Sequence, residues 1–406
     1  MGQSPGIRVR VLDLAALYHL IIILSLLGAL GAVVANVACF DGLREARPDS
    51  ETPLVSILVP ARNEALNIGP CLRSLLAQDH PYCELIMLDD SSQDATAEIA
   101  RGLGLSENGT VARLIRGTPL PEGWVGKNWA CHQLAQQARG EFLFFTDADT
   151  EHATGTVTAL LAYAKRRRAD LISAWPRLVT VTWGEQLILP MITLLGMVIY
   201  PHWLLLLLQR FPKTARLVPR RWLRLLGAAN GQSLFFRRAA YNQIGGHEAL
   251  RDHIVEDVAL GRAVAAHMGE GLRLFNCDAL RFSSCRMYRS FWEVWEGFTK
   301  NLRAVFENSL AGFLYTAITQ SLCFLAPCVL LFLVSHHRKQ IVIEVALIYL
   351  IRIILTVRFR TSWLSCVFHP IGHALALAIG LNSWLKMASG GGVTWKGRKY
   401  SRSTGM

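Results

Sequence analysis

The sequence predicts an α/β domain with a mainly parallel central sheet, flanked at both ends by transmembrane helices. Three observations predict it. Units of apolar strand, polar loop and helix recur between residues 52 and 150. Long, nearly uncharged runs precede and follow the polar part of the chain. Finally, 52% of the 406 residues are hydrophobic and the mean hydropathy is +0.29, more apolar than an ordinary soluble enzyme.

The first run spans Val11 to Phe40 and is long enough to cross ~30 Å of hydrocarbon, longer than the core of a signal peptide. It reads as a retained anchor. Arg8 and Arg10 precede it and Arg44 and Arg47 follow it, so flanking charge barely orients it. We place an N-terminal anchor in 1–48, a catalytic domain in 49–305, a C-terminal transmembrane region in 306–388 and a basic tail in 389–406.

Within the catalytic region, Leu54 to Pro60 is a buried-strand pattern, and Ala61-Arg62-Asn63-Glu64 opens the next helix. Cys83 to Leu88 repeats the pattern and ends in Asp89-Asp90-Ser91-Ser92. Phe142-Leu143-Phe144-Phe145 is a third strand, running into Asp147-Ala148-Asp149. Such alternation builds a parallel, nucleotide-type sheet, with ligands gathering beyond the carboxyl ends of its strands. No Gly-x-Gly-x-x-Gly follows the first strand, which disfavours a dinucleotide-binding Rossmann domain.

Each loop has two readings. Asp147 and Asp149 can share one hard cation, Mg²⁺ or Mn²⁺, whose other ligands come from a diphosphate and water; standing alone, an Asp-x-Asp is more often a polar turn capping the next helix. One of Asp89 and Asp90 suits a cap, the other a hydrogen bond to a ribose or base. Lys127, in Gly123-Trp124-Val125-Gly126-Lys127-Asn128, suits a cation reaching a phosphate, or plain solvated surface. Glu256-Asp257 sits at a helix start, where a carboxylate complements the positive helix end or serves as a base.

Taken together, Val59-Pro60-Ala61-Arg62-Asn63-Glu64, Asp89-Asp90-Ser91-Ser92, Asp147-Ala148-Asp149 and Glu256-Asp257 resemble, in order and spacing, the family 2 glycosyltransferases of GT-A fold, over roughly residues 52–300. The resemblance implies that Pro60, Arg62, Glu64 and Asp90, with Asp89 beside it, hold the nucleoside. It further implies a metal on Asp147 and Asp149 and a general base at Asp257, next to Glu256. Arg286-Met287-Tyr288-Arg289-Ser290 is similar to the Gln/Arg-x-x-Arg-Trp element of processive enzymes and ceramide glucosyltransferases. Ser290 replaces the tryptophan, which speaks against a polysaccharide synthase. Arg286 and Arg289 suit a leaving diphosphate. Trp395-Lys396-Gly397-Arg398-Lys399-Tyr400 resembles the ending of hopanoid-associated, carotenoid and ceramide-type membrane glycosyltransferases, so Trp395 and Arg398 are expected near the substrate.

The greasy stretch 186–208 contains Pro190 and Pro201. A single crossing there would part Asp149 from Asp257, so an interfacial or re-entrant placement is expected. After it, Trp292, Trp295 and Phe298 form an aromatic stripe suited to core packing or to a membrane interface. Three spans are expected near 310–334, 341–357 and 363–386, with Glu344 and Arg352 facing one another or a protein interior. Three crossings leave the C-terminus outside, whereas a re-entrant hairpin returns it to the cytosol. The net charge of +12 fits anionic lipid and an anionic nucleotide better than nucleic acid, because the basic residues flank apolar spans. Nine cysteines without a Cys-x-x-Cys pair suit reduced thiols facing the cytosol.

The expectation is a multi-pass inner-membrane, inverting hexosyltransferase facing the cytosol, moving a sugar from a nucleotide sugar, UDP-linked, to a lipid acceptor. Its rivals are a processive polysaccharide synthase and a non-catalytic membrane protein that binds nucleotide or polyisoprenoid.

Overall fold

The computed structural model describes residues 14–48, 52–388, 393–395 and 398–400. Arg8, Arg10, Lys396 and Gly397 lie outside these described residues.

The chain opens with helix α1 (Leu14–Cys39). The α/β region then runs β1 (Val55–Ala61), α2 (Ile68–Leu76), β2 (Cys83–Asp89), α3 (Thr96–Gly102), β3 (Ala112–Arg116), α4 (Gly126–Gln137), β4 (Phe142–Thr146), β5 (Thr150–His152), α5 (Thr156–Arg167), β6 (Leu171–Trp175) and β7 (Arg177–Leu178). A helical excursion, α6 (Trp183–Ile199), α7 (His202–Arg210), α8 (Pro212–Ala215) and α9 (Arg220–Leu226), leads to β8 (Ser233–Arg237), α10 (Arg238–Gln243) and α11 (Glu256–Ala266). β9 (Leu274–Asp278) and β10 (Ser283–Cys285) close this region. Then come α12 (Phe291–Val305), α13 (Leu310–Gln320), α14 (Ala326–Leu333), α15 (Arg338–Phe359), α16 (Trp363–Val367), α17 (His369–Ala388) and the hairpin β11 (Val393–Trp395) and β12 (Arg398–Tyr400).

The central sheet has seven strands in the order β3-β2-β1-β4-β8-β6-β9. β1 to β4 are parallel, and only β8 runs against its neighbours β4 and β6. The expected strands form because their side chains fill both faces. Val55, Ile57, Phe142, Phe144 and Phe235 enter one buried cluster, while Leu58, Leu143, Phe145, Leu234 and Phe236 enter the other. β1, β2 and β4 end together, and β8, running the other way, begins beside them, so four loops converge on one edge. A second, three-stranded sheet, β5-β10-β7, pairs Cys285 with Thr150 and sets Arg286 just beyond.

Three helices are long and apolar enough to cross a membrane among the described residues: Leu14–Cys39, Leu310–Leu333 and Arg338–Phe359. α6 and α7 would add a fourth only as a pair bent by 44°. Ile22, Leu26 and Val33 of α1 interlock with Met191 and Leu194 of α6 and with Ile348, Ile351 and Leu355 of α15. α1 and α15 both finish against the α/β domain, where Arg358 bonds the Phe40 carbonyl at 2.8 Å and pairs with Asp278. α6 starts beside Arg286, which pairs with Glu185, and α7 ends on the sheet, where Gln209 bonds the Leu274 carbonyl at 2.8 Å. The excursion therefore leaves and returns on one side.

Of the expectations about the spans, one is narrowed and one changes. Glu344 and Arg352 do not face each other: eight residues apart on one helix, they stand about 12 Å apart along its axis. Glu344 pairs instead with His19 at 2.8 Å, and Arg352 bonds Ser365 Oγ at 2.7 Å and the Pro190 carbonyl at 3.5 Å. Both do face a protein interior. The expected span 363–386 is broken into α16 and α17 around Phe368, before His369 and Pro370. The Tyr349 hydroxyl donates to the Val367 carbonyl, about 15 Å back along α15 from Phe359. α17 then runs along α12, with Ser383 Oγ on the Thr299 carbonyl at 2.6 Å. β11, after α17, also packs against α12.

Candidate active site

The four converging loops and α12 enclose a pocket of about 1030 Å³. Pro60, Arg62, Glu64, Asp90, Lys127, Asp147, Asp149, Glu256, Asp257, Arg286 and Arg289, all singled out from the sequence, line it.

The first two loops lock each other. Arg62 donates to the Asp90 and Ser91 carbonyls at 2.6 and 3.4 Å, and the amides of Asn63 and Glu64 reach Ser92 Oγ and Thr96 Oγ1. Asp89 does not line the pocket. As the last residue of β2 it turns back to accept the Ser92 amide at 3.2 Å, leaving Asp90 at the pocket wall.

The β4 strand delivers Asp147 and Asp149 at its carboxyl end. Asp149 Oδ1 accepts from Thr150 Oγ1 at 3.3 Å and from the Cys285 thiol at 3.4 Å. Burial, and then the charge of Asp149, push the Cys285 thiol well above its usual range, so it stays a neutral donor. Lys127 stands on the first turn of α4 and does not project into open solvent. Its Nζ lies 2.7 Å from Asp147 Oδ1 and 2.7 Å from Glu256 Oε1. Burial disfavours that ammonium, but Asp147 and Glu256 outweigh it and raise its pKa well above the usual value. Burial would likewise raise the Glu256 carboxyl, and Lys127 overrides it and holds Glu256 low.

Asp257 has the opposite balance. Burial, and then the neighbouring Glu256 carboxylate, push it up to about 6. Its carboxylate is fixed by two amides, Gly231 N on Oδ2 at 2.7 Å and Val258 N on Oδ1 at 2.8 Å. Two adjacent carboxylates thus differ in their proton affinity, Glu256 a held anion and Asp257 raised to about 6. A side chain at residue 231 would place its Cβ 3.0 Å from Asp257 Oδ2. We expect Gly231→Ala to lower kcat by about tenfold through that displacement while the thermal midpoint moves little; steady-state kinetics and a melt check it.

Arg289 bonds Asn67 Oδ1 at 2.7 Å, and Arg286 leans on Glu185 at 3.4 Å, the buried carboxylate of the capping box that starts α6. Trp395 and Arg398 are paired across the β11–β12 hairpin, and their side chains lie outside the described residues. Sequence reasoning missed the polar face of α12: Glu293, Glu296, Lys300 and Asn301 line the pocket. The signal was present, since 293, 296 and 300 share helical spacing opposite the aromatic stripe. Asn230, Gly231 and Gln232, in the small-residue loop that enters β8, also line the pocket.

The Glycosyl transferase family 2 profile matches residues 56–241, covering the loops that carry Arg62, Asp90, Lys127, Asp147 and Asp149, and the Glycosyl transferase family 21 profile matches 217–406. Together the two profiles support a family 2 glycosyltransferase. Its fold is GT-A. This glycosyltransferase is 27% identical over 362 residues to the 4,4'-diaponeurosporenoate glycosyltransferase of Staphylococcus aureus (strain USA300), covering 86% of this chain and 88% of that protein. The same enzyme from strain MRSA252 is 28% identical over the same shares. Among solved structures, the mannosyltransferase PcManGT from Pyrobaculum calidifontis, in complex with GDP-Man and Mn²⁺, superposes with a TM-score of 0.51. It is 17% identical, covering 90% of this chain and 97% of that one.

Proposed function

We propose that this glycosyltransferase moves a hexose from a nucleotide sugar, UDP-linked, to the hydroxyl of an apolar, carotenoid-type lipid, with inversion. The observation that carries this reading is one pocket lined by Asp147, Asp149 and Asp257 together and walled by α12, whose Glu293, Glu296 and Lys300 reach it. The S. aureus relatives act on a carotenoid-type acceptor by name, and PcManGT was seen with a nucleotide sugar and Mn²⁺, in keeping with it.

Asp147 and Asp149 suit Mg²⁺ or Mn²⁺: they are hard oxygen donors on one pocket wall, and small cations of this kind keep waters and take ligands from diphosphate. Among the described residues no group of three or more His, Cys, Asp or Glu can hold a metal, so the donor's phosphates would complete the set. The ion would supply charge neutralisation for the leaving diphosphate, helped by Arg286 and Arg289. Pro60, Arg62, Glu64 and Asp90 would border the nucleoside. Asp257 would take the acceptor's proton as it attacks in line, on the face opposite the departing diphosphate.

Placement supports the acceptor class. Trp292 and Trp183 are exposed beside α12 and α6, and α12 turns Glu293, Glu296 and Lys300 to the pocket. With α1, α13–α14 and α15 crossing and the α6–α7 and α16–α17 excursions re-entrant, the catalytic domain and the C-terminal hairpin share the cytosolic face of the inner membrane. Purified enzyme, incubated with a panel of sugar nucleotides, Mn²⁺ and extracted membrane lipids, should add one hexose to an apolar lipid detectable by mass spectrometry of the lipid fraction. A ladder of repeating sugars, or no lipid product with any donor, would overturn the reading.

A further inference from the structure

The floor of the pocket joins its two halves through one cation. Asp147 belongs to the loop after β4, on the donor side, and Glu256 opens α11, one residue from Asp257 on the acceptor side. Lys127 Nζ lies 2.7 Å from a carboxylate oxygen of each. Glu256 is 6% exposed, so its charge is costly to leave without a partner.

We infer that Lys127 is a positioning residue that stands in for the divalent cation at Asp147 in the metal-free enzyme and moves wholly onto Glu256 when the metal enters. The inference rests on the reading of Asp147 and Asp149 as the metal-binding pair. A Mg²⁺-type ion sits about 2.1 Å from its carboxylate oxygen. An ammonium on the same carboxylate would then lie within a few ångströms of a double positive charge, where repulsion outweighs one hydrogen bond. The lysine side chain has a flexible four-carbon stem and a second carboxylate already within hydrogen-bond distance, so it can yield Asp147 without losing its counter-charge. Metal entry thereby fixes Glu256 more tightly, next to the base. By linkage the coupling is reciprocal: whatever strengthens the grip of Lys127 on Asp147 weakens the metal.

The signs of three substitutions separate this from a bracing role. Mn²⁺ is titrated into the full-length enzyme in detergent at fixed pH, with free Mn²⁺ read by electron paramagnetic resonance. Lys127→Met, which removes the competitor, should tighten Mn²⁺ by about tenfold even as transfer falls, a differential of about 1.4 kcal/mol. Lys127→Arg should stay near wild type. Glu256→Gln, which leaves Lys127 only Asp147, should weaken Mn²⁺ several-fold, and it carries the test alone where Lys127→Met does not fold. Weaker or unchanged binding in Lys127→Met, or tighter or unchanged binding in Glu256→Gln, would overturn the displacement while leaving the metal reading intact. Absence of Mn²⁺ binding by the wild-type enzyme would overturn both.

Discussion

Asp257→Asn should lower transfer by about a thousandfold while donor binding stays within about twofold, because general-base catalysis is typically worth 10²–10⁴. The substitution keeps the shape of the side chain, and its remaining oxygen can still accept one of the two amides, Gly231 N or Val258 N. What it removes is the capacity to take a proton. Glu256 cannot replace it: Lys127 holds that carboxyl low, which makes it a weaker base and points its oxygen at the ammonium. The pH dependence carries the same assignment. Asp257 titrates near 6, and the base is the ionised form, so wild-type kcat/KM should fall about tenfold per unit below that pH. The residual activity of Asp257→Asn should lose this limb. Labelled-donor transfer assays across pH, with calorimetry of donor binding, measure both. Transfer within tenfold of wild type would transfer the role to another group.

How far these assignments were legible in the sequence depended on whether a signal was local. Strand β4 and the two aspartates after it were readable because four buried apolar residues followed by charge leave few alternatives. Asp257 was legible as a candidate from its motif, but not the cause of its raised pKa, which is burial together with the charge of Glu256, a neighbour that Lys127 of α4 holds as an anion. The partner of Lys127 was hidden for the same reason: a lysine among glycines suggests a phosphate, and only the sheet order sets α4 beneath both carboxylates. Glu344 and Arg352 showed that a charge inside an apolar helix has a partner, though not which one, since His19 and Ser365 lie on other helices. The break between α16 and α17 was marked by His369-Pro370, yet the apolar content of 363–386 outweighed it in a reading by composition.

Asp149→Ala should abolish the metal dependence of donor binding. Asp149 is held by structure on both sides: Thr150 begins β5 and pairs with Cys285 of β10, whose thiol donates to the Asp149 carboxylate. The backbone should therefore survive the truncation, and the loss should fall on the site. A divalent ion held by this pair would supply several kcal/mol of stabilisation to the developing charge, so donor affinity measured with Mn²⁺ should drop by about a hundredfold and transfer by about a thousandfold. EDTA discriminates this from a general weakening. It should reduce donor binding by the wild-type enzyme to the level of the variant and leave the variant unchanged. Asp147→Ala should behave less severely, because Lys127 retains Glu256 as its partner and Asp149 still offers an oxygen to the ion. If Asp149→Ala remained as sensitive to EDTA as wild type, the ion would bind elsewhere. The diphosphate would then rest on Arg286 and Arg289, already at the pocket wall, as its principal counter-charge.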